Sequence, residues 1–144
     1  MNSLHQTVKK KYELDEKGVF DKFNKLQEDS LKLRNIKNFK THKNHIYRIN
    51  LSKIDNNIEN LRGKWGYFYE YDAKNFNEIF KQVSPKFQTL SYFGFNKNYL
   101  MNLLKNEKLT GIDRVVPIGE TLNIGLVWDG FDLSNILSRV IEIK

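Results

Sequence analysis

The sequence predicts an α/β fold, a mainly parallel sheet of about four to five strands with helices on both faces, preceded by a helical N-terminal segment. Two observations predict it. From residue 44 onward, short β-prone runs take turns with amphipathic runs of helical period, as in strands joined by right-handed crossovers. Residues 1–43 instead carry helical spacing and many lysines. The expected organisation is therefore a helical, lysine-rich segment over 1–43 and an α/β segment over 44–144.

Each element has its own signal. Val19, Phe20, Phe23 and Leu26 recur at helical spacing behind Asp15, with a looser pattern through Leu31 and Leu33. Asn38–Asn44 is polar and lysine-rich and reads as a connection. His45–Leu51 alternates as a half-buried strand does. Ser52-Lys53-Ile54-Asp55 is a capping-box pattern opening a short helix with Ile54, Ile58 and Leu61 on one face, ended by Gly63. Trp65–Tyr71 is an aromatic strand, with Trp65, Tyr67, Tyr69 and Tyr71 facing one way and Phe68 and Glu70 the other. Phe76, Ile79, Phe80 and Val83 form a helical stripe that stops near Pro85. Phe87–Phe95 is the next strand. Asn96 caps a helix that turns Tyr99, Leu100, Leu103 and Leu104 inward. Ile112–Ile118 is a strand that Pro117 places at its end or on an edge. Leu122–Trp128 leads to a turn at Asp129-Gly130 and a helix from Asp132, with Leu133, Ile136, Leu137 and Val140 on one face.

Composition narrows the function classes. The 144 residues are 40% apolar and 13% aromatic, enough for one core. There is no cysteine, which excludes a disulfide scaffold, a zinc ribbon and a cysteine nucleophile supplied by this chain. No apolar run reaches the ~20 residues of a bilayer span, and Met1–His5 lacks the apolar stretch of a signal peptide, so a soluble, cytoplasmic protein is expected. The net charge is +7. Nearly all of that surplus lies in residues 1–48, mixed there with acids such as Glu13, Asp15 and Glu28, as on a solvated helix. The 17 asparagines beside abundant lysine point to compositional bias as much as to a charged binding surface. No nucleic-acid motif accompanies the charge, so nucleic acid is a disfavoured partner.

Candidate motifs each have a plainer reading. Neither G-x-G-x-x-G nor a P-loop occurs among the 8 glycines, so no phosphate cradle for a dinucleotide is expected. His42 and His45 have a ligand-like spacing, but they straddle a loop-to-strand change without a nearby carboxylate or third histidine, and His5 lies in a terminal segment. No metal site is expected. Glu70, the one acid in an aromatic strand, would be a general acid or base if buried, and otherwise points to solvent or pairs with a lysine. Asp113, Arg114, Asp129 and Asp132 edge the expected strands, where α/β sheets bind ligands. Turn and cap chemistry accounts equally for Asp129-Gly130 and Asp132. Trp128 reads as a core or contact anchor.

Taken in order, Phe87–Gly94 (FQTLSYFG), Gly111–Glu120 (GIDRVVPIGE), Trp128–Leu133 (WDGFDL) and Leu137-Ser138-Arg139 resemble the C-terminal end of the acyl-CoA reductase family. That family includes the fatty-acid reductase of bacterial bioluminescence and belongs to the aldehyde dehydrogenase superfamily. The resemblance covers residues 65–144; residues 1–64 match it only in general character. It implies an aldehyde dehydrogenase-like fold and NADPH-dependent reduction of a fatty acyl-CoA to an aldehyde, through an acylated cysteine and hydride transfer. This chain has neither that cysteine nor the nucleotide-binding half, which in the family lie upstream of the matched region. No catalytic residue carries over, and no cofactor is expected on this chain alone.

The resemblance instead marks Gln88, Thr89, Arg114, Trp128, Asp129 and Arg139 as motif positions. Gln88 and Thr89 are expected to line the cleft, and Arg114 and Arg139 to form ion pairs or face phosphate. Trp128-Asp129-Gly130 is expected to form a turn beside the cleft. The chain is then a C-terminal piece of a reductase, one polypeptide of a split enzyme, or a truncated relative kept for binding. All three imply an apolar face that docks a cysteine-bearing reductase half or a second copy. A different class remains as the alternative, a small basic module that binds nucleic acid or an acidic protein through its first third.

Overall fold

The computed structural model describes residues 2–107 and 109–144, and the chain forms two compact units, residues 1–75 and 76–144. It is a mixed α/β protein.

In the first unit, α1 (Asn2–Lys11) and α2 (Glu16–Lys32) precede three strands, β1 (Ile36–His42), β2 (Ile46–Leu51) and β3 (Tyr67–Tyr71). The sheet order is β1-β2-β3, with β1 antiparallel and β3 parallel to the central β2. The β2–β3 crossover contains a single turn of 3-10 helix, Ile58–Asn60. The α2 helix begins where expected, because the Asp15 carboxylate accepts from the Gly18 amide at 2.6 Å. Tyr47, Ile49, Leu51 and Tyr67 form the core, and Leu26, Ile36, Leu61 and Tyr69 pack against it.

Two expectations fail in this unit. Residues 36–42, taken partly as a connection, form β1, whose residues between Ile36 and His42 are all exposed. A polar edge strand buries neither face, so it lacks the apolar alternation that announces a strand. The second failure is the helix after Ser52. Both the Ser52 amide and its hydroxyl donate to the Asn35 carbonyl, at 2.8 and 3.0 Å, so the side chain is not available as a cap.

The second unit contains α3 (Phe76–Phe80), β4 (Thr89–Tyr92), α4 (Lys97–Asn106), β5 (Arg114–Pro117), β6 (Val127–Trp128), β7 (Phe131–Asp132) and α5 (Leu133–Leu137). Strands β4 and β5 pair in parallel across α4, whose N-cap Asn96 accepts from the Asn98 amide at 2.8 Å. Strands β6 and β7 form an antiparallel hairpin. Among the described residues the sheets thus hold three, two and two strands. Both crossover pairs are parallel, as the alternation predicted, but the strands are not joined into one sheet.

Burial is thin here. Phe80 and Leu100 are the buried apolar residues of this unit among those described. An aromatic group of Phe76, Phe80, Phe95 and Tyr99 surrounds α3 and the start of α4, with ring centroids 5.3–6.4 Å apart. Among the described residues no helix is long and apolar enough to cross a membrane.

Candidate functional site

Five of the six motif positions gather around β4, β5 and the β6–β7 hairpin. The Gln88 carbonyl accepts from the amides of Asp113 and Arg114, at 2.8 and 3.1 Å, which registers Thr89 beside Arg114 at the start of the parallel pair. Arg114 then organises the following loop. Its Nη1 donates to the Thr121 carbonyl at 3.0 Å and its Nη2 to the Asn123 carbonyl at 2.9 Å. The guanidinium carbon lies 4.2 Å from the centre of the Trp128 ring, a cation–π contact. One donor of each terminal nitrogen is thereby engaged by the loop.

Asp129 and Gly130 have φ of 51° and 79°, and two consecutive positive values are what a type I′ two-residue hairpin requires. A methyl group added at Gly130 would lie 3.2 Å from Asp113 Oδ1, so the turn sits against the strand entrance. Asp132 caps α5 by accepting from the Ser134 and Asn135 amides, and the Ser134 hydroxyl holds its carboxyl below the usual range. Because β6 runs antiparallel to β7, the strand-end argument for a ligand role of Asp129 does not apply. Arg139 lies apart, exposed in the irregular stretch after α5.

Thr89 and Arg114 mark the amino ends of β4 and β5. Ligands in α/β sheets bind beyond the carboxyl ends, here Tyr92 and Pro117. Beside Tyr92 a hollow of about 380 Å³ is lined by Leu100, Met101, Leu104 and Val115, with Lys97 and Lys105 also on its wall. It is apolar, with two amines. The turn between β4 and α4 does not fit a dinucleotide: only Gly94 matches the G-x-G-x-x-G pattern, where Asn96 and Tyr99 replace the other glycines.

The first unit holds a polar interior that sequence reasoning missed. Lys22 and Asp29, both on α2, are each only 2% exposed. Lys22 Nζ donates to the carbonyls of Asn44, His45 (3.1 Å) and Trp65 (2.7 Å), and lies 4.8 Å from the Tyr47 ring centre. Burial pushes its amine down to about 8. Asp29 accepts from the Tyr67 and Tyr69 hydroxyls, at 2.7 and 2.5 Å, and from Lys25 at 2.7 Å. Burial and the adjacent carboxylate push both phenols up. These groups tie α2 to the sheet and to the loop at residue 65.

Glu70 forms a two-pronged ion pair with Arg48, at 2.5 and 2.8 Å, rather than with a lysine. Both of its oxygens are engaged by that one guanidinium. A third histidine does approach the other two: the His5 ring lies 5.5 Å from His45 and 6.1 Å from His42. Burial, the other two histidines and Lys43 and Lys9 all lower the His5 pKa. Among the described residues no group of three His, Asp or Glu side chains is arranged to hold a metal ion.

The chain matches no protein-family model, no curated protein and no solved structure.

Proposed function

We propose that this chain is the C-terminal portion of an NADPH-dependent fatty acyl-CoA reductase, inactive alone and completed by a cysteine-bearing, nucleotide-binding half. The ordered motifs at residues 87–94, 111–120 and 128–139 suggest the family. One structural observation carries the incompleteness. From Ile118 to Ile143 most apolar side chains are laid open, with Leu122 87%, Leu137 81% and Val140 97% exposed. A stand-alone domain seldom presents so long an apolar run to water, whereas a surface covered by the rest of an enzyme does. In the same reading the small parallel pairs belong to a larger parallel sheet of an aldehyde dehydrogenase-like fold that the partner half completes.

Within that enzyme the Arg114–Trp128 cluster serves as scaffold. The apolar hollow beside Tyr92 contributes to the acyl-substrate side of the cleft, where its two lysines suit an anionic thioester such as acyl-CoA. NADPH belongs to the partner half, because the β4–α4 turn offers no glycine cradle for it. The setting is cytoplasmic.

Mixing the purified chain with a cysteine-bearing upstream half from an acyl-CoA reductase tests the reading. The expected result is a stable complex and fatty acyl-CoA-dependent NADPH oxidation that neither polypeptide gives alone. Turnover by the chain by itself, or no complex with any such half, would refute it. Self-association with no response to the half would leave only a homo-oligomeric binding role.

A further inference from the structure

The first unit contains a hollow of about 370 Å³, bounded on one side by the first turns of α2 and on the other by residues 62–67. Its wall includes Lys17, Asp21, Lys22, Lys25, Arg62 and Lys64. We propose that this hollow binds a small anion bearing a diphosphate group.

Charge accounting favours an anion. Asp15 also borders the hollow, but its carboxylate is spent on the Gly18 amide. Asp29, just behind the wall, balances Lys25 at 2.7 Å. Five cations against these two acids and Asp21 leave a surplus of two positive charges. A concave, partly desolvated wall concentrates that field more than a flat lysine-rich face would. Among the described residues the side-chain amines of Lys17 and Lys64 make no hydrogen bond or ion pair, so both are free to turn onto a ligand. Arg62 uses only its Nε, on the Glu59 carbonyl at 3.2 Å, and keeps its terminal nitrogens.

The two walls are also fixed before any ligand arrives. Lys22 ties α2 to the opposite wall through the Trp65 carbonyl at 2.7 Å, and Trp65 holds a φ of 58° that a non-glycine residue seldom adopts. The volume lies in the range of small-molecule pockets. Because the cations ring one hollow rather than follow a stripe, a compact polyphosphate suits them better than an extended strand of nucleic acid. The site lies within residues 1–75 and does not depend on the reductase reading.

Calorimetric titration of the whole chain with pyrophosphate, with ADP and with a single-stranded oligonucleotide tests it. Saturable one-to-one binding of pyrophosphate or ADP, weakening as salt rises, is expected. The stronger of those two identifies the source of the diphosphate. Replacing both free amines (K17A with K64A) should weaken binding at least about tenfold, the loss of two charge-assisted contacts. D21N should tighten it about two- to threefold by removing the opposing carboxylate. All three residues are exposed, so an unchanged Tm verifies that each variant is folded. Absence of saturable binding, affinity indifferent to the lysine pair, or binding of the oligonucleotide alone would overturn the proposal.

Discussion

At the scale of single residues, the interior of the first unit depends on Lys22. Its amine donates to three backbone carbonyls, so Lys22→Met should cost about 1–3 kcal/mol by removing those hydrogen bonds. Urea denaturation of the variant measures this. The same amine sets a pH dependence. Its folded value of about 8 lies below the ordinary 10.5, so between those values the unfolded chain holds more protons. Stability should therefore climb as pH rises from about 8 toward 10.5, and Lys22→Met should abolish the climb. Tyr67 and Tyr69 act in the opposite sense. Their raised values contribute stability that is present below the ordinary phenol value and lost above it, so both should stay silent in an absorbance titration until the protein unfolds. An equal early signal from Tyr69→Phe and the parent checks this.

Little of this interior was legible in the sequence. The spacing of Val19, Phe20, Phe23 and Leu26 correctly gave a helix but not which of its residues turn inward, since Leu26 packs against the core. Phe20 and Phe23 are 63% and 47% exposed, while Lys22 and Asp29 are buried. Apolar periodicity assumes that polar residues have no partners inside. Here the partners come from segments as distant as residues 65–69, which no local pattern reveals.

At the scale of elements, local chemistry was easier to read. Asp15, Asn96 and Asp132 cap the helices the sequence assigned to them, because a cap needs only an oxygen and the next few amides. Asp129-Gly130 turns as its composition requires. Gly130→Ala should destabilise the hairpin by about 1–2 kcal/mol, since alanine meets both the positive φ and the nearby Asp113 side chain. Faster amide exchange across 127–132, with the first unit unchanged, is the expected signature. Arg114→Ala should release the loop at residues 121–123 and make it the first site of limited proteolysis. The motif sequence singled out Arg114 and Trp128, yet their mutual contact was invisible until the loop between them was folded.

At the scale of the whole molecule, the alternation of strand and helix signals gave the α/β class and the two parallel crossovers. It could not give sheet size, because strand pairing is decided by contacts far apart in sequence and, in the proposed function, by another polypeptide. The open apolar run from Ile118 to Ile143 has a direct consequence. The isolated chain should bind a hydrophobic dye strongly and self-associate with rising concentration, and a chain ending at residue 117 should do so less. Light scattering and dye fluorescence measure both.

Lys22 also offers a built-in gauge of folding. A reagent that acylates primary amines should label the outward lysines within moments but reach this one only when α2 lifts from its strands. The lag between the two, followed by mass spectrometry of a single peptide, would clock the opening of the native chain without any engineered probe.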